Sequence, residues 1–289
     1  MSLQTPSHLI LEPIVRACLL EDLGRAGDIT TDLVVPAEAA GAYTLVARDA
    51  GTVAGLQAAQ LAFGLVDPAV SFSACVNDGA RVRPGDRLAV VSGPVRAILT
   101  AERVALNLLG HLSGVATATA TVADAIAHTH ARVTCTRKTT PGLRVLEKYA
   151  VRAGGGTNHR FGLDDAVLVK DNHIAAAGSI KEAVRRVRQG AGHLVAIEVE
   201  VDTLEQLAEL LLDPVDAVLL DNMTPGQTAR AVELVAGRMV TEASGKVTPE
   251  TAPALAEAGV DLISVGWITH SAAVLDIGLD HVPAAAAGT

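Results

Sequence analysis

Apolar and polar positions along this chain follow two rhythms, and the change between them falls near residue 130. The first part opens with a helical stripe. Ile10, Ile14, Val15, Cys18 and Leu19 recur at helical spacing within 9–22, which predicts a surface-packing helix with Pro13 in its first turn. A turn-rich run at 24–31 hands over to alternating segments at 42–47, 51–54, 70–76 and 88–91. The last two are joined by Asn77-Asp78-Gly79 and Pro84-Gly85-Asp86, turn signals that predict a small antiparallel sheet. A long helix over 100–128 follows, with Thr100 as its cap, Glu102 in the first turn and Ala105, Leu108, Leu109, Leu112 and Val115 along one face. Gly110, Gly114 and the Ala/Thr run predict close packing against another helix or a subunit, and this helix is expected to link two domains.

After residue 130 short apolar strands alternate with helices. Strands are predicted at 132–136, 166–170, 195–200, 217–221, 239–242 and 262–266, with helices such as 179–189, 204–212 and 225–236 between them. Repeated units of this kind imply a parallel sheet, doubly wound or closed as a barrel. Nearly every strand ends in a distinctive residue: Arg137, Lys170, Glu200, Asp221, Glu242 or Gly266. Ligand groups spread over so many strand ends favour a barrel, because a doubly wound sheet gathers them at one switch point.

Composition sharpens this picture. The 289 residues, 49% of them hydrophobic, suffice for two well-buried domains. The formal charge is −9, yet the stretch from Arg137 to Lys170 carries seven Lys or Arg against three acids. A cationic island in an acidic protein points to a small anionic ligand and away from nucleic acid, which calls for a broadly basic face. No apolar run approaches a membrane span and the N-terminus has no signal-peptide pattern, so a soluble, cytoplasmic protein is expected. Cys18, Cys75 and Cys135 lie far apart, without metal-binding or disulfide-framework spacing.

Seven motifs then occur in order: Glu102-Arg103; 136–139 (TRKT); Gly154-Gly155-Gly156 followed by Asn158-His159-Arg160; 170–173 (KDNH); Glu198-Val199-Glu200; Leu220-Asp221-Asn222; and 242–245 (EASG). In this combination the chain resembles the quinolinate phosphoribosyltransferases, from Glu21-Asp22 and Asp28-Ile29 through to Val265-Gly266 and 269–271 (THS). It departs from their commonest pattern at Ala243, where Ser is usual, and at Trp267, where a small residue is usual; both flank the expected 5′-phosphate pocket.

The resemblance implies an N-terminal open-faced α/β sandwich over 1–116, with the tail from about 272 to 289 packing back onto it, and an incomplete seven-stranded α/β barrel over 117–289. It implies Mg²⁺-dependent transfer from phosphoribosyl pyrophosphate (PRPP) to quinolinate, giving nicotinate mononucleotide, pyrophosphate and CO₂ in NAD biosynthesis. A homodimer is the implied unit, with Arg103 donated across the interface and assembly into hexamers left open. Quinolinate carries two carboxylates, which guanidinium forks bind in bidentate fashion; by similarity Arg103, Arg137, Arg160 and Lys170 take that role with His159 nearby. Lys138 is assigned to the pyrophosphate, and Glu200 and Asp221 to the ribose hydroxyls, the metal and the positive charge that develops on the anomeric carbon. No lysine is assigned to the 5′-phosphate, which falls to Ser244, Gly245, Gly266 and His270.

Other readings are weaker. Segment 78–93 has the rhythm of lipoyl modules, but no lysine precedes Lys138 to carry the cofactor. The glycine run at 154–156 lacks the strand and helix context of a dinucleotide site. A paralogous phosphoribosyltransferase-like protein of molybdenum metabolism is the alternative, and a non-catalytic phospho-ligand binder would have no need of Glu200 and Asp221. Glu198 is read as turned away from Glu200, in an ion pair toward the surrounding helices. His111 is read as a surface residue.

Overall fold

The computed structural model describes residues 3–282. Its first elements are α1 (His8–Leu23), α2 (Ile29–Val34), β1 (Ala40–Ala47), β2 (Gly51–Thr52), α3 (Leu56–Val66), β3 (Ser71–Ala74), β4 (Arg81–Val82), β5 (Arg87–Pro94) and α4 (Val95–Ala125). There follow β6 (Arg132–Thr134), α5 (Arg144–Ala153), β7 (Val167–Val169), α6 (Asp171–Ala177), α7 (Ile180–Gly190), β8 (Ile197–Val201), α8 (Leu204–Leu210) and β9 (Ala217–Asp221). The chain continues through α9 (Pro225–Val235), β10 (Val240–Ser244), α10 (Ala252–Glu257), β11 (Leu262–Ser264), α11 (Trp267–His270) and β12 (Ile277–His281). The described residues pack as two compact units, one of 3–120, 140–155 and 268–282, the other of 121–139 and 156–267. No helix among the described residues is long and apolar enough to cross a membrane.

The first unit is built on an antiparallel sheet of order β12-β1-β5-β3. The segment after residue 272 thus enters it as an edge strand, pairing Leu45 with Leu279; residues 283–289 lie outside the described residues. In α1 the buried stripe is Leu11, Val15 and Leu19, at i, i+4, i+8, while Ile10 is about half exposed. Because the helix starts at His8, Pro13 falls in its second turn, where its ring removes one intrahelical donor.

Thr100 is not the cap of the long helix. Strand β5 runs to Pro94 and α4 starts at once, so Thr100 lies inside it and its hydroxyl donates to Asp28 Oδ2 at 3.1 Å. Gly110 and Gly114 face the returning C-terminal chain, residues 273–275, and not another helix. A Cβ on Gly114 would lie 2.1 Å from the carbonyl oxygen of Ala273, and Leu275 N-H donates to the Gly110 carbonyl at 3.1 Å, so the small residues of α4 admit the returning C-terminal chain. His111 is only partly exposed; its Nε2 lies 2.8 Å from Oε1 of the wholly buried Glu147.

The second unit is a parallel sheet of order β6-β11-β10-β9-β8-β7, each strand followed along the chain by a helix. Thr157 adds a parallel bridge to Thr134 on the free side of β6, so a seventh position exists but is reduced to one residue. Alternate residues of β8, Ile197, Val199 and Val201, are buried under the helical layer. Each such aliphatic side chain contributes about 1.5–3 kcal/mol on burial. Helices α8 and α9 open with capping boxes, Thr203 with Gln206 and Thr224 with Gln227, which fix where each strand-to-helix loop ends.

Candidate active site

Residues two apart on a strand share a face. Leu168 on β7, Glu200 on β8, Leu219 and Asp221 on β9, Glu242 and Ser244 on β10 and Ser264 on β11 accordingly line one cavity of about 440 Å³ within the second unit. Thr136, Arg137 and Lys138, which follow β6, line it too, as do His159, Arg160 and Lys170. Four cations and three carboxyl groups thus meet in a space the size of a small ligand.

The cations are held differently. Lys170 directly follows β7 and its Nζ lies 2.5 Å from Glu200 Oε2, an ion pair strung between two neighbouring strands. Arg160 starts a loop that Asp165 closes on itself, its carboxylate accepting the N-H groups of Phe161 (2.7 Å) and Gly162 (2.9 Å). The Arg160 Nη1 donates to the Ala166 carbonyl at 2.9 Å, while its Nε is buried without a partner. Burial first, and then the neighbouring Arg137, pull the Arg160 guanidinium below its ordinary value. Two crowded, desolvated guanidiniums form a site poised for an anion.

Beneath them lies a buried cluster. His159 Nε2 is 2.8 Å from Glu198 Oε2 and 3.9 Å from Glu242 Oε1. This corrects the reading of Glu198: being two residues from Glu200, it shares that face and turns inward, not toward the helices. Burial, and then the Glu198 carboxylate, push Glu242 up to about 7, and its Oε1 has no hydrogen-bond partner.

Comparison with known proteins places this architecture. The family model of the quinolinate phosphoribosyl transferase N-terminal domain matches residues 28–113, and that of its C-terminal domain residues 115–280. The chain belongs to this family. Among its curated relatives, the probable nicotinate-nucleotide pyrophosphorylase (carboxylating) of Bacillus subtilis is 44% identical over 274 residues, spanning 95% of this chain and 94% of its own. The nicotinate-nucleotide pyrophosphorylase (carboxylating) of Mycobacterium leprae is 46% identical over 273 residues, spanning 92% of this chain and 95% of its own. Among solved structures, NadC of Streptococcus pyogenes superposes with a TM-score of 0.92 at 40% identity, over 96% of this chain and 99% of its own. The nicotinate-nucleotide pyrophosphorylase of Francisella tularensis does so at 0.92 and 35%, over 98% and 99%.

The residues expected from the phosphoribosyltransferase pattern divide in two. Arg137, Lys138, His159, Arg160, Lys170, Glu200, Asp221 and Ser244 line the cavity. Gly245 follows Ser244 directly and Gly266 follows β11 by two residues, both in the same unit. Arg103, exposed on α4, and His270, exposed with its Nδ1 2.6 Å from Ser271 Oγ, belong to the first unit and do not line the cavity. Trp267 donates its indole N-H to the Val247 carbonyl at 2.8 Å, tying the loop after β10 to the end of β11.

Two residues were overlooked in the sequence. Lys246, exposed and in the left-handed region at φ 47°, comes directly after Ser244-Gly245, so a cation is present beside the expected 5′-phosphate loop after all. Asn222 donates its side-chain N-H to Asp221 Oδ2 at 2.6 Å and is itself left-handed at φ 54°. The available signal was that Asn222 closes the Leu220-Asp221-Asn222 motif and Lys246 directly follows the motif at 242–245.

For Mg²⁺ the donor chemistry fits at Glu200 and Asp221: hard carboxylate oxygens ending adjacent strands, too few for a dedicated cage, as suits an ion that takes one or two carboxylates and completes its shell with water and phosphate. The denser cluster of His159, Glu198 and Glu242 fits less well. The Arg160 backbone N-H donates to His159 Nδ1 at 2.8 Å, which puts the ring proton on Nε2 and leaves no lone pair there for a metal.

Proposed function

We propose that this chain is a nicotinate-nucleotide pyrophosphorylase (carboxylating), a pentosyltransferase that joins quinolinate to the phosphoribosyl group of PRPP and releases pyrophosphate and CO₂. The observation that carries the reading is a single cavity that gathers Arg137, Lys138, Arg160 and Lys170 with Glu200 and Asp221. Guanidinium forks pair with the two carboxylates of quinolinate, and Lys170 is shared between Glu200 and the substrate. Lys138, exposed just beyond β6, meets the pyrophosphate. As the bond to pyrophosphate breaks, positive charge grows on the anomeric carbon, where Glu200 and Asp221 stabilise it and hold the ribose hydroxyls. The ring nitrogen then bonds to that carbon, and the adjacent carboxyl leaves as CO₂ with its electron pair retained on the ring and quenched by a proton. Glu200 and Asp221 are also the donors for Mg²⁺, which when bound neutralises charge on the leaving pyrophosphate.

The working unit is a homodimer in which Arg103, exposed on α4, completes the partner's site. Ser244, Gly245, Lys246 and Gly266 receive the 5′-phosphate. The expected setting is cytoplasmic, where thiols such as those of Cys18, Cys75 and Cys135 stay reduced. Incubation with quinolinate, PRPP and Mg²⁺ should yield nicotinate mononucleotide, pyrophosphate and CO₂ in equal amounts. No product and no quinolinate binding would instead favour the paralogous proteins of molybdenum metabolism.

A further inference from the structure

We propose that Glu198 is a positioning residue for the substrate-reading Arg160, acting through His159. The inference deepens the proposed quinolinate reading and rests on it for the substrate's identity.

Three hydrogen bonds carry the argument. The Arg160 backbone N-H donates to His159 Nδ1 at 2.8 Å. A ring nitrogen that accepts carries no proton, so in the neutral ring the proton sits on Nε2, which faces Glu198 Oε2 at 2.8 Å and donates to it. At the far end, Arg160 Nη1 donates to the Ala166 carbonyl at 2.9 Å. The guanidinium is therefore fixed at its backbone root by Glu198 through the imidazole, and at its tip by the loop that Asp165 closes.

Burial makes the relay matter. The side chains of His159 and Glu198 are 13% and 11% exposed, so water is a poor substitute for either partner. Both ring nitrogens are spent within the protein, so His159 gives the substrate no positive charge; its part is to hold the Arg160 backbone. His159, expected near the substrate carboxylates, thus acts from behind Arg160. It also assigns the inward-facing Glu198, two residues before Glu200 and without a role in the proposed chemistry, a function that its oxygen performs as an acceptor.

The test compares Glu198→Ala with Glu198→Gln, which keeps an acceptor oxygen, in steady-state assays that vary quinolinate and PRPP separately. The wild-type His159 tautomer is read by long-range ¹H–¹⁵N NMR. Glu198→Ala should raise the quinolinate KM by about ten- to a hundredfold while leaving the PRPP KM in place, as for other groups that orient a ligand-contacting side chain. Glu198→Gln should restore the quinolinate KM, and wild-type His159 should carry its proton on Nε2. The proposal is overturned if Glu198→Ala leaves the quinolinate KM unchanged, if it raises both KM values alike with a matching loss of thermal stability, or if wild-type His159 is protonated on Nδ1. Should the wild type fail to turn over quinolinate, the proposed function fails, and the tautomer then decides the relay without substrate: an Nε2 proton that is lost from that position in Glu198→Ala upholds it, and an Nδ1 proton in wild type overturns it.

Discussion

Asn222 fills the place where a side chain on Gly245 would begin: a Cβ there would lie 2.3 Å from Asn222 Oδ1. Gly245 is also at φ 115°, which an L side chain rarely adopts. The same asparagine donates to Asp221 Oδ2, so displacing it disturbs the carboxylate assigned to the anomeric carbon. Gly245→Ala should therefore cost roughly 1–3 kcal/mol of stability from the strained backbone and lower kcat as well as PRPP affinity. Urea unfolding together with initial rates checks this; wild-type stability and kinetics in the variant would show that the contact yields freely.

Glu242 sets a pH dependence of stability. Its folded value, about 7, lies above the ordinary 4.5, so the folded state keeps a proton that the unfolded chain releases. Stability from this group is fully present below about 4.5 and is lost as pH rises through about 7, by a few kcal/mol at about 1.4 kcal/mol per pH unit. Glu242→Gln should flatten that decline and melt above the wild type at pH 8. Parallel declines in both proteins would place the cause in another group.

Arg103 and Asp221 should complement between subunits. If each subunit lends its Arg103 to the partner, Arg103→Ala and Asp221→Ala are each nearly inactive, yet a hybrid dimer contains one site with both residues intact. Random mixing makes about half the dimers hybrid, so activity should return to roughly a quarter of wild type. Differentially tagged hybrids that stay as inactive as the single variants would mean that Arg103 acts within its own subunit or not at all.

What the sequence showed well were features with a short period. Strand 217–221 was legible as it stands, and the strand from 262 was legible although β11 stops at Ser264, because apolar runs between helical stripes admit few alternatives. Boundaries fared worse where a neighbour decides them: Thr100 has the chemistry of a cap, but Pro94 lets α4 begin five residues earlier, and the hydroxyl finds Asp28 instead. Gly114 announced close packing, yet its partner, the carbonyl of Ala273, is distant in sequence and carries no pattern of its own. Glu198 was readable and misread: the two-residue period that buries Val199 among helices puts Glu198 and Glu200 together. That Glu198 reaches His159, 39 positions away, needed the fold.

The central claim, that the crowded cations of this cavity read two carboxylates at once, is tested most directly by isothermal titration of the wild-type protein with quinolinate and, in parallel, with nicotinate. Nicotinate lacks the second carboxylate and leaves desolvated donors such as Arg160 Nε unpaired. Quinolinate should bind saturably and nicotinate more weakly by a factor of about 10² or more, the scale on which a site rejects an analogue missing a group it was built to bond. Equal affinity for the two acids would contradict the account.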